Sequence, residues 1–427
     1  MTGPPVYIVD GARTPFLRAH GEPGPFTPVD LAVQCGRLLL LRQPFAPEDF
    51  DLVTLGCVNV IADEMNPARV AALRLGMGPG MVAFTEQINC GSGMLTVDTG
   101  ARRIREGRAD LVLAGGTEAL SHSPLVFRQE AVEWFADLQK ADGIGDRVRK
   151  AAEIRPDFFK PVIGLERGLT DPISEFSMGQ TAEVLAYRFD ITREAADAYA
   201  LESHQRLAAA QQEGRLDEIE PAYDRNGGFH DHDDGVRPDT SLKKLAGLKP
   251  AFETPWGKVT PGNSSQVTDG ACWLVLASEA AVERYGLTPV AAIRDAEWSA
   301  LDPAVMGLGP TLCVTAMLKR HGMGREEVDL WEINEAFAAQ VLACLAAWED
   351  ADYSREVLGL EEPFGAIPRD RLNVDGGAVA IGHPVGTSGA RIVLHLAREM
   401  ARRGLRRGVA TECIGGGQGG AMLLEAA

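Results

Sequence analysis

The chain has 427 residues, 45% hydrophobic and 24% charged, which is enough for two or three domain-sized cores. A formal net charge of -18 speaks against nucleic acid or an anionic lipid surface as the principal partner, since both are bound through a net basic face. The first residues lack the basic-then-apolar pattern of a leader and no apolar run reaches bilayer length, so a cytoplasmic protein that is not transmembrane is expected.

Val6 to Asp10 reads as a strand, Asp30 to Leu41 as a helix, and Asp51 to Gly56 and Met81 to Phe84 as further strands. Gly93 to Glu106 carries apolar residues at helical spacing (Met94, Val97, Ala101, Ile104), and Asp110 to Ala114 is an apolar strand. Strands alternating with helices predict an α/β fold with a largely parallel sheet. From Ser123 to Leu248 the texture changes to charge and turn residues around helical stretches such as Thr192 to Gln212, as an inserted loop domain would. Leu125 to Val148 has Phe127, Ala131, Phe135 and Leu138 at helical spacing, a face expected to pack on its own domain, with a partner or membrane surface as the alternative. The strand and helix rhythm then returns in Thr311 to His321, Val328 to Ile333, Gly386 to Met400 and Val409 to Ile414, which predicts an internal duplication.

Seven scattered cysteines without a Cys-x-x-Cys pair suggest neither a disulfide framework nor a zinc site, and each is by default a small buried apolar residue. Cys90, in Asn89-Cys90-Gly91-Ser92-Gly93, departs from that default because it stands between a strand and a helix start, where backbone N–H groups and the helix dipole favour a thiolate. Glycines in the run Gly376 to Gly386 present His383 ahead of a helix, and histidine is the usual base for a cysteine nucleophile. Glu412 to Gly420 sets a second thiol, Cys413, beside a glycine-rich backbone; the phosphate-cradle alternative lacks both Gly-x-Gly-x-x-Gly at an N-terminal βαβ unit and a Gly-Lys-Ser/Thr ending. Asn334, after the apolar strand ending at Ile333, could orient a water or a carbonyl, or cap the next helix.

Asn89-Cys-Gly-Ser-Gly, Asn334-Glu-Ala-Phe, Gly382-His-Pro and Cys413-Ile-Gly-Gly-Gly-Gln-Gly, in that order, resemble the thiolase family. Val9 to Phe16 and Ala114-Gly-Gly-Thr-Glu118 extend the resemblance over nearly the whole chain. Asp234 to Pro238, Leu248 to Phe252, Asn263 to Gly270 and the insertion Ala351 to Pro368 look most like the β-oxidation thiolase subunit of trifunctional complexes, although those subunits often carry histidine where this chain has Asn334. The resemblance implies duplicated βαβαβαββ halves in a five-layered α-β-α-β-α core. It divides the chain into residues 1–122 (N-terminal half), 123–248 (inserted loop domain, binding coenzyme A), 249–282 (return to the first half) and 283–427 (C-terminal half).

It further implies an acyltransferase cleaving 3-ketoacyl-CoA with coenzyme A, where Cys90 is the nucleophile, His383 its base and Cys413 the acid/base. His383 and a water on Asn334 would hold one oxyanion, and the N–H groups of Cys90 and Gly415 the other. Ser265 would contact the pantetheine arm and Met178 the acyl pocket, with Arg237, Lys243 and Lys244 as candidates for the adenosine phosphates or as plain solvated surface. Coenzyme A is then a substrate, and neither a cofactor nor a metal is expected. A homodimer or tetramer is implied, with a hydratase/dehydrogenase α subunit as an additional partner. Acetoacetyl-CoA condensation and a non-enzymatic scaffold of a β-oxidation assembly are the alternatives; a ketoacyl synthase would not place a reactive thiol at Cys413.

Overall fold

A computed structural model describes residues 3–427. The first half contains β1 (Val6–Arg13), α1 (Pro28–Leu41), β2 (Leu52–Gly56), α2 (Pro67–Arg74), β3 (Ala83–Glu86), α3 (Ser92–Arg105) and β4 (Leu111–Ala119). An insertion carrying α4 (Gln129–Lys140), α5 (Gly143–Ala152), α6 (Met178–Arg188) and α7 (Arg193–Gln212) precedes the half's last strand, β5 (Thr268–Ser278). The second half runs β6 (Ala291–Ala300), α8 (Gly309–His321), β7 (Leu330–Ile333), α9 (Ala338–Glu349), α10 (Ser388–Arg403), β8 (Arg407–Ile414) and β9 (Gln418–Glu425).

The strand order β3-β2-β4-β5-β1 in the first half is matched by β7-β8-β9-β6 in the second, with parallel β2–β4 answering parallel β7–β8. The place equivalent to β3 is reduced to a single parallel bridge between Trp331 and Leu372. Antiparallel pairing of β1 with β6 joins the halves into one continuous sheet. Helices α1 and α2 cover the outer face of the first half, α8 and α9 that of the second, and α3 packs against α10 between them, giving the five layers.

Local sequence sets the boundaries of the elements that matter most. Thr27 and Asp30 form a capping box with Pro28 at the first helical position of α1, and Ser177 and Gln180 do the same for α6, which makes Met178 its first residue. Gly322 and Gly404 close α8 and α10 in the left-handed conformation. Between the central helices, a Cβ on Gly93 would lie 2.8 Å from Ala390 N and 3.0 Å from Gly386 O, so α3 and α10 touch backbone to backbone at their first turns. That contact brings the segment before α3, with Cys90, to the segment before α10, with His383.

Several expectations are corrected. The strand expected at Met81 to Phe84 begins at Ala83, and the one expected to stop at Ala114 continues to Ala119 because β5 pairs with it along its whole length. Leu125 to Val148 is not one helix but a two-residue strand followed by α4 and α5. Its apolar face packs on its own domain only in part: Ala131 is buried, Leu138 is half-buried and Phe135 meets Phe127 and Trp134, while Phe127, Val132, Ile144 and Val148 are exposed. Among the described residues no helix is long and apolar enough to cross a membrane.

Candidate active site

All seven cysteines fall within the described residues, and Cys90 alone is not fully buried. It follows Asn89, whose φ of +50° turns the chain sharply between β3 and α3. A cavity of about 190 Å³ is lined by Cys90, His383, Cys413, Met178 and Ser265, together with Phe337. A second cavity, of about 380 Å³, shares Cys90, Leu120 and Met178 with the first and extends past Leu165, Ile173 and Gly415. Cys90 therefore stands where two cavities meet.

The expected helix-start stabilisation of a Cys90 thiolate is outweighed. Burial pushes the thiol up to about 11, against the N–H groups of Gly415 and of Cys90 itself, which favour the thiolate; Glu412 adds to the rise. The N–H groups that favour the Cys90 thiolate thus come one from each half of the chain.

His383 is also held neutral. Burial, with Arg391 adding to it, lowers its pKa to about 4. Its Nδ1 lies 2.6 Å from Ser388 Oγ, and that hydroxyl donates to Pro384 O at 3.3 Å, so Nδ1 carries the proton and donates to Ser388. Nε2, buried and without a partner, keeps a free lone pair. The resting pair is thus thiol and imidazole, with one unmet acceptor to receive a proton.

Cys413, next to last in β8, has 0% exposure, and burial, with the neighbouring Cys90 and Cys344 thiols adding to it, pushes its thiol well above the usual range. Asn334 does not cap the following helix, since Phe337 occupies that position. Its N–H donates to Thr411 O, whereas both ends of its side-chain amide are buried without partners, a polar site able to order a water. Arg237 is half-buried and lines neither cavity, Lys243 is exposed, and Lys244 pairs with Asp239.

Three residues that sequence reasoning left without a role hold this arrangement. Ser388 fixes the His383 tautomer. Glu118, pushed up to about 7 by burial against the backbone N–H bonds it accepts, receives Val58, Asn59 and Gly386, tying the loops below the site together. Glu335 takes Tyr199, Ser203, Asn373 and Val379, anchoring the segment after Asn334. Only Glu118 and Glu335 stood inside the motifs above; Ser388, five residues after His383, had no signal of its own.

One other cluster, Asp375, His395 and Glu399, could offer three metal-ligating atoms among the described residues. Its charges are already met: Arg215 pairs with Asp375, Glu218 with His395, and Arg402 and Arg403 with Glu399. A cation there would compete with three arginines, so the cluster reads as part of the ion-paired core.

Residues 6–280 match the thiolase N-terminal domain and residues 287–426 the thiolase C-terminal domain. The chain belongs to the thiolase family and is an acyltransferase of that kind. It is 39% identical over 427 residues to the 3-oxoadipyl-CoA/3-oxo-5,6-dehydrosuberyl-CoA thiolase of Escherichia coli (strain K12), covering 98% of each chain. It is 34% identical over 426 residues to the mitochondrial trifunctional enzyme subunit beta of Homo sapiens, covering 99% of this chain and 88% of that one. The crystal structure of human mitochondrial 3-ketoacyl-CoA thiolase in complex with CoA superposes with a TM-score of 0.84 at 34% identity, covering 99% of this chain and 98% of the other.

Proposed function

We propose that this thiolase cleaves 3-ketoacyl-CoA with coenzyme A to acetyl-CoA and a shortened acyl-CoA, serving β-oxidation of substrates with apolar acyl chains. The observation that carries the reading is the meeting of the two cavities at Cys90: a smaller one with His383, Cys413 and Ser265, and a larger one with apolar walls. Cys90 attacks the 3-keto carbon as its proton passes to His383 Nε2, and the new acyl–sulfur bond forms as the bond to the acetyl-CoA carbon breaks. Cys413 protonates the departing carbanion. In the second half, coenzyme A loses its thiol proton to Cys413 and takes the acyl group from Cys90, whose sulfur recovers its proton from His383.

The N–H groups of Cys90 and Gly415 receive the oxyanion formed at the acyl carbon, and protonated His383 with a water on Asn334 receives the thioester enolate. Ser265 contacts the pantetheine arm, Met178 borders the acyl chain, and Arg237 remains the candidate for the adenosine phosphates. The likeness to the CoA-bound human enzyme supports coenzyme A as the co-substrate. A homodimer or tetramer in the cytoplasm, with a hydratase/dehydrogenase subunit as partner, completes the proposal.

The larger cavity argues against a dicarboxylic substrate, despite the higher identity to the 3-oxoadipyl enzyme. Among the described residues lining it, Asp171 is the one charged side chain, and its carboxylate accepts from Ile173 N, Ser174 N and Ser174 Oγ. An acyl chain ending in a carboxylate would meet no cation there, a cost of several kcal/mol. The test is kcat/KM across acetoacetyl-CoA, 3-oxooctanoyl-CoA and 3-oxoadipyl-CoA. The C8 substrate is expected to exceed the dicarboxylate by about 100-fold or more; equal or better use of 3-oxoadipyl-CoA would reverse the substrate assignment.

The pH profile follows from His383. The neutral imidazole is the active base, and with a folded pKa of about 4 it stays neutral as pH falls through the range where an ordinary histidine protonates. kcat/KM is therefore expected to hold level from pH 8 to about pH 5, whereas a base at the ordinary value would lose about tenfold by pH 5.5. A limb centred near 6.5 in the free enzyme would contradict the neutral, buried base.

A further inference from the structure

We infer that Asn89 is a positioning residue that locks the Gly415 peptide in the orientation needed for its N–H to meet the Cys90 oxyanion. The inference rests on Cys90 as the acyl carrier. Asn89 Nδ2 donates to Gly415 O at 2.8 Å, linking residues 326 apart in sequence. No other donor meets that carbonyl among the described residues. Gly415 lines the same cavity as Cys90, and its N–H favours the Cys90 thiolate. The next tie beyond it is at Gly417, whose carbonyl accepts from Leu301 N, while Gly416 between them has φ +91° and no side chain to pack.

The two oxyanion donors thus come from opposite ends of the chain, and Asn89 fixes their spacing. It is covalently next to Cys90 and hydrogen-bonded to Gly415, so one side chain references both N–H groups to the same frame. The backbone explains the residue type: φ of +50° is a conformation that asparagine adopts more readily than most residues, and its amide supplies the donor. Asn89 also borders the larger cavity, but its Nδ2 is already used by Gly415, so its effect falls on the reacting carbon rather than on affinity for the acyl chain.

Two variants separate these roles. Asn89→Gly adopts the same φ without strain and removes only the amide. Asn89→Asp keeps the size and tolerance of the turn but sets a carboxylate against Gly415 O. For thiolysis of a single 3-ketoacyl-CoA, kcat of Asn89→Gly is expected to fall by about 10-fold or more, with KM within about twofold, because a mis-set oxyanion donor weakens the transition state more than the ground state. Asn89→Asp is expected to fall further still, and in both variants mass spectrometry should find the acyl group on Cys90, formed more slowly. A kcat of Asn89→Gly equal to wild type, Asn89→Asp as active as Asn89→Gly, or a rise in KM with kcat intact would each overturn the inference. An acyl group on a residue other than Cys90 in the wild-type enzyme would instead bring down the site assignment on which it rests.

Discussion

Cys90→Ala is expected to slow thiolysis by about 10⁵- to 10⁶-fold, the scale on which enzymes lose a covalent nucleophile. Alanine removes the sulfur without adding bulk, and α3 retains its start because its first turn is tied locally: Ser92 Oγ accepts from Ile88 N and donates to Asn89 O. Stability should therefore change little while turnover collapses. Five of the other six thiols cannot substitute. Cys35, Cys57, Cys272, Cys313 and Cys344 are buried and line neither cavity, and burial raises the thiol pKa of each. Steady-state kinetics and a thermal melt on the same preparation check this; turnover within 100-fold of wild type would mean that another group attacks the substrate.

Cys413→Ala is expected to divide the reaction. Loss of a positioned acid/base costs about 10²- to 10⁴-fold, and here the cost should fall where a carbanion must be protonated. Cleavage of 3-ketoacyl-CoA should drop by the upper part of that range, since the acetyl-CoA carbanion is a poor leaving group without a proton. Formation of acetyl-Cys90 from acetyl-CoA should be far less affected, because the group expelled there is the coenzyme A thiolate, which leaves without one. Removing Cys413 leaves His383 and its Ser388 hydrogen bond untouched. The comparison is a quenched-flow measurement of acetyl-enzyme against full thiolysis; equal losses in both would assign Cys413 to the nucleophilic step instead.

What could be read from the sequence was local. Cys90, His383, Cys413 and Asn334 each stand in a short segment whose glycines, strand end or helix start signal the residue, and the structure places the first three on one cavity. The repeated order of strands and helices was legible because each half carries it complete apart from the strand reduced to the Trp331–Leu372 bridge. What escaped depends on distant contacts and on burial. Asn89 meets Gly415 across 326 residues, and Glu118 meets Gly386 across 268, pairings that spacing cannot suggest. The Cys90 pKa had been read from its helix start, but desolvation is the larger effect and changes the sign. Strand β4 was cut short at Ala114, where the apolar run ends, yet the backbones of Gly115 and Gly116 pair with Trp273 and Cys272 on β5. The amphipathic face of α4 and α5 gave the right periodicity but not how far it is covered, since periodicity records which side is apolar and not what lies against it.

The most direct measurement is the location of the acyl group. Wild-type enzyme and Cys413→Ala, each mixed with acetyl-CoA and acid-quenched within one turnover, would be digested and mapped by mass spectrometry. An acetyl group on the peptide containing Cys90 in both proteins, and none on the peptide containing Cys413, is the predicted result. Acetylation of Cys413, or turnover with no acyl-enzyme on Cys90, would contradict the division of labour between the two thiols.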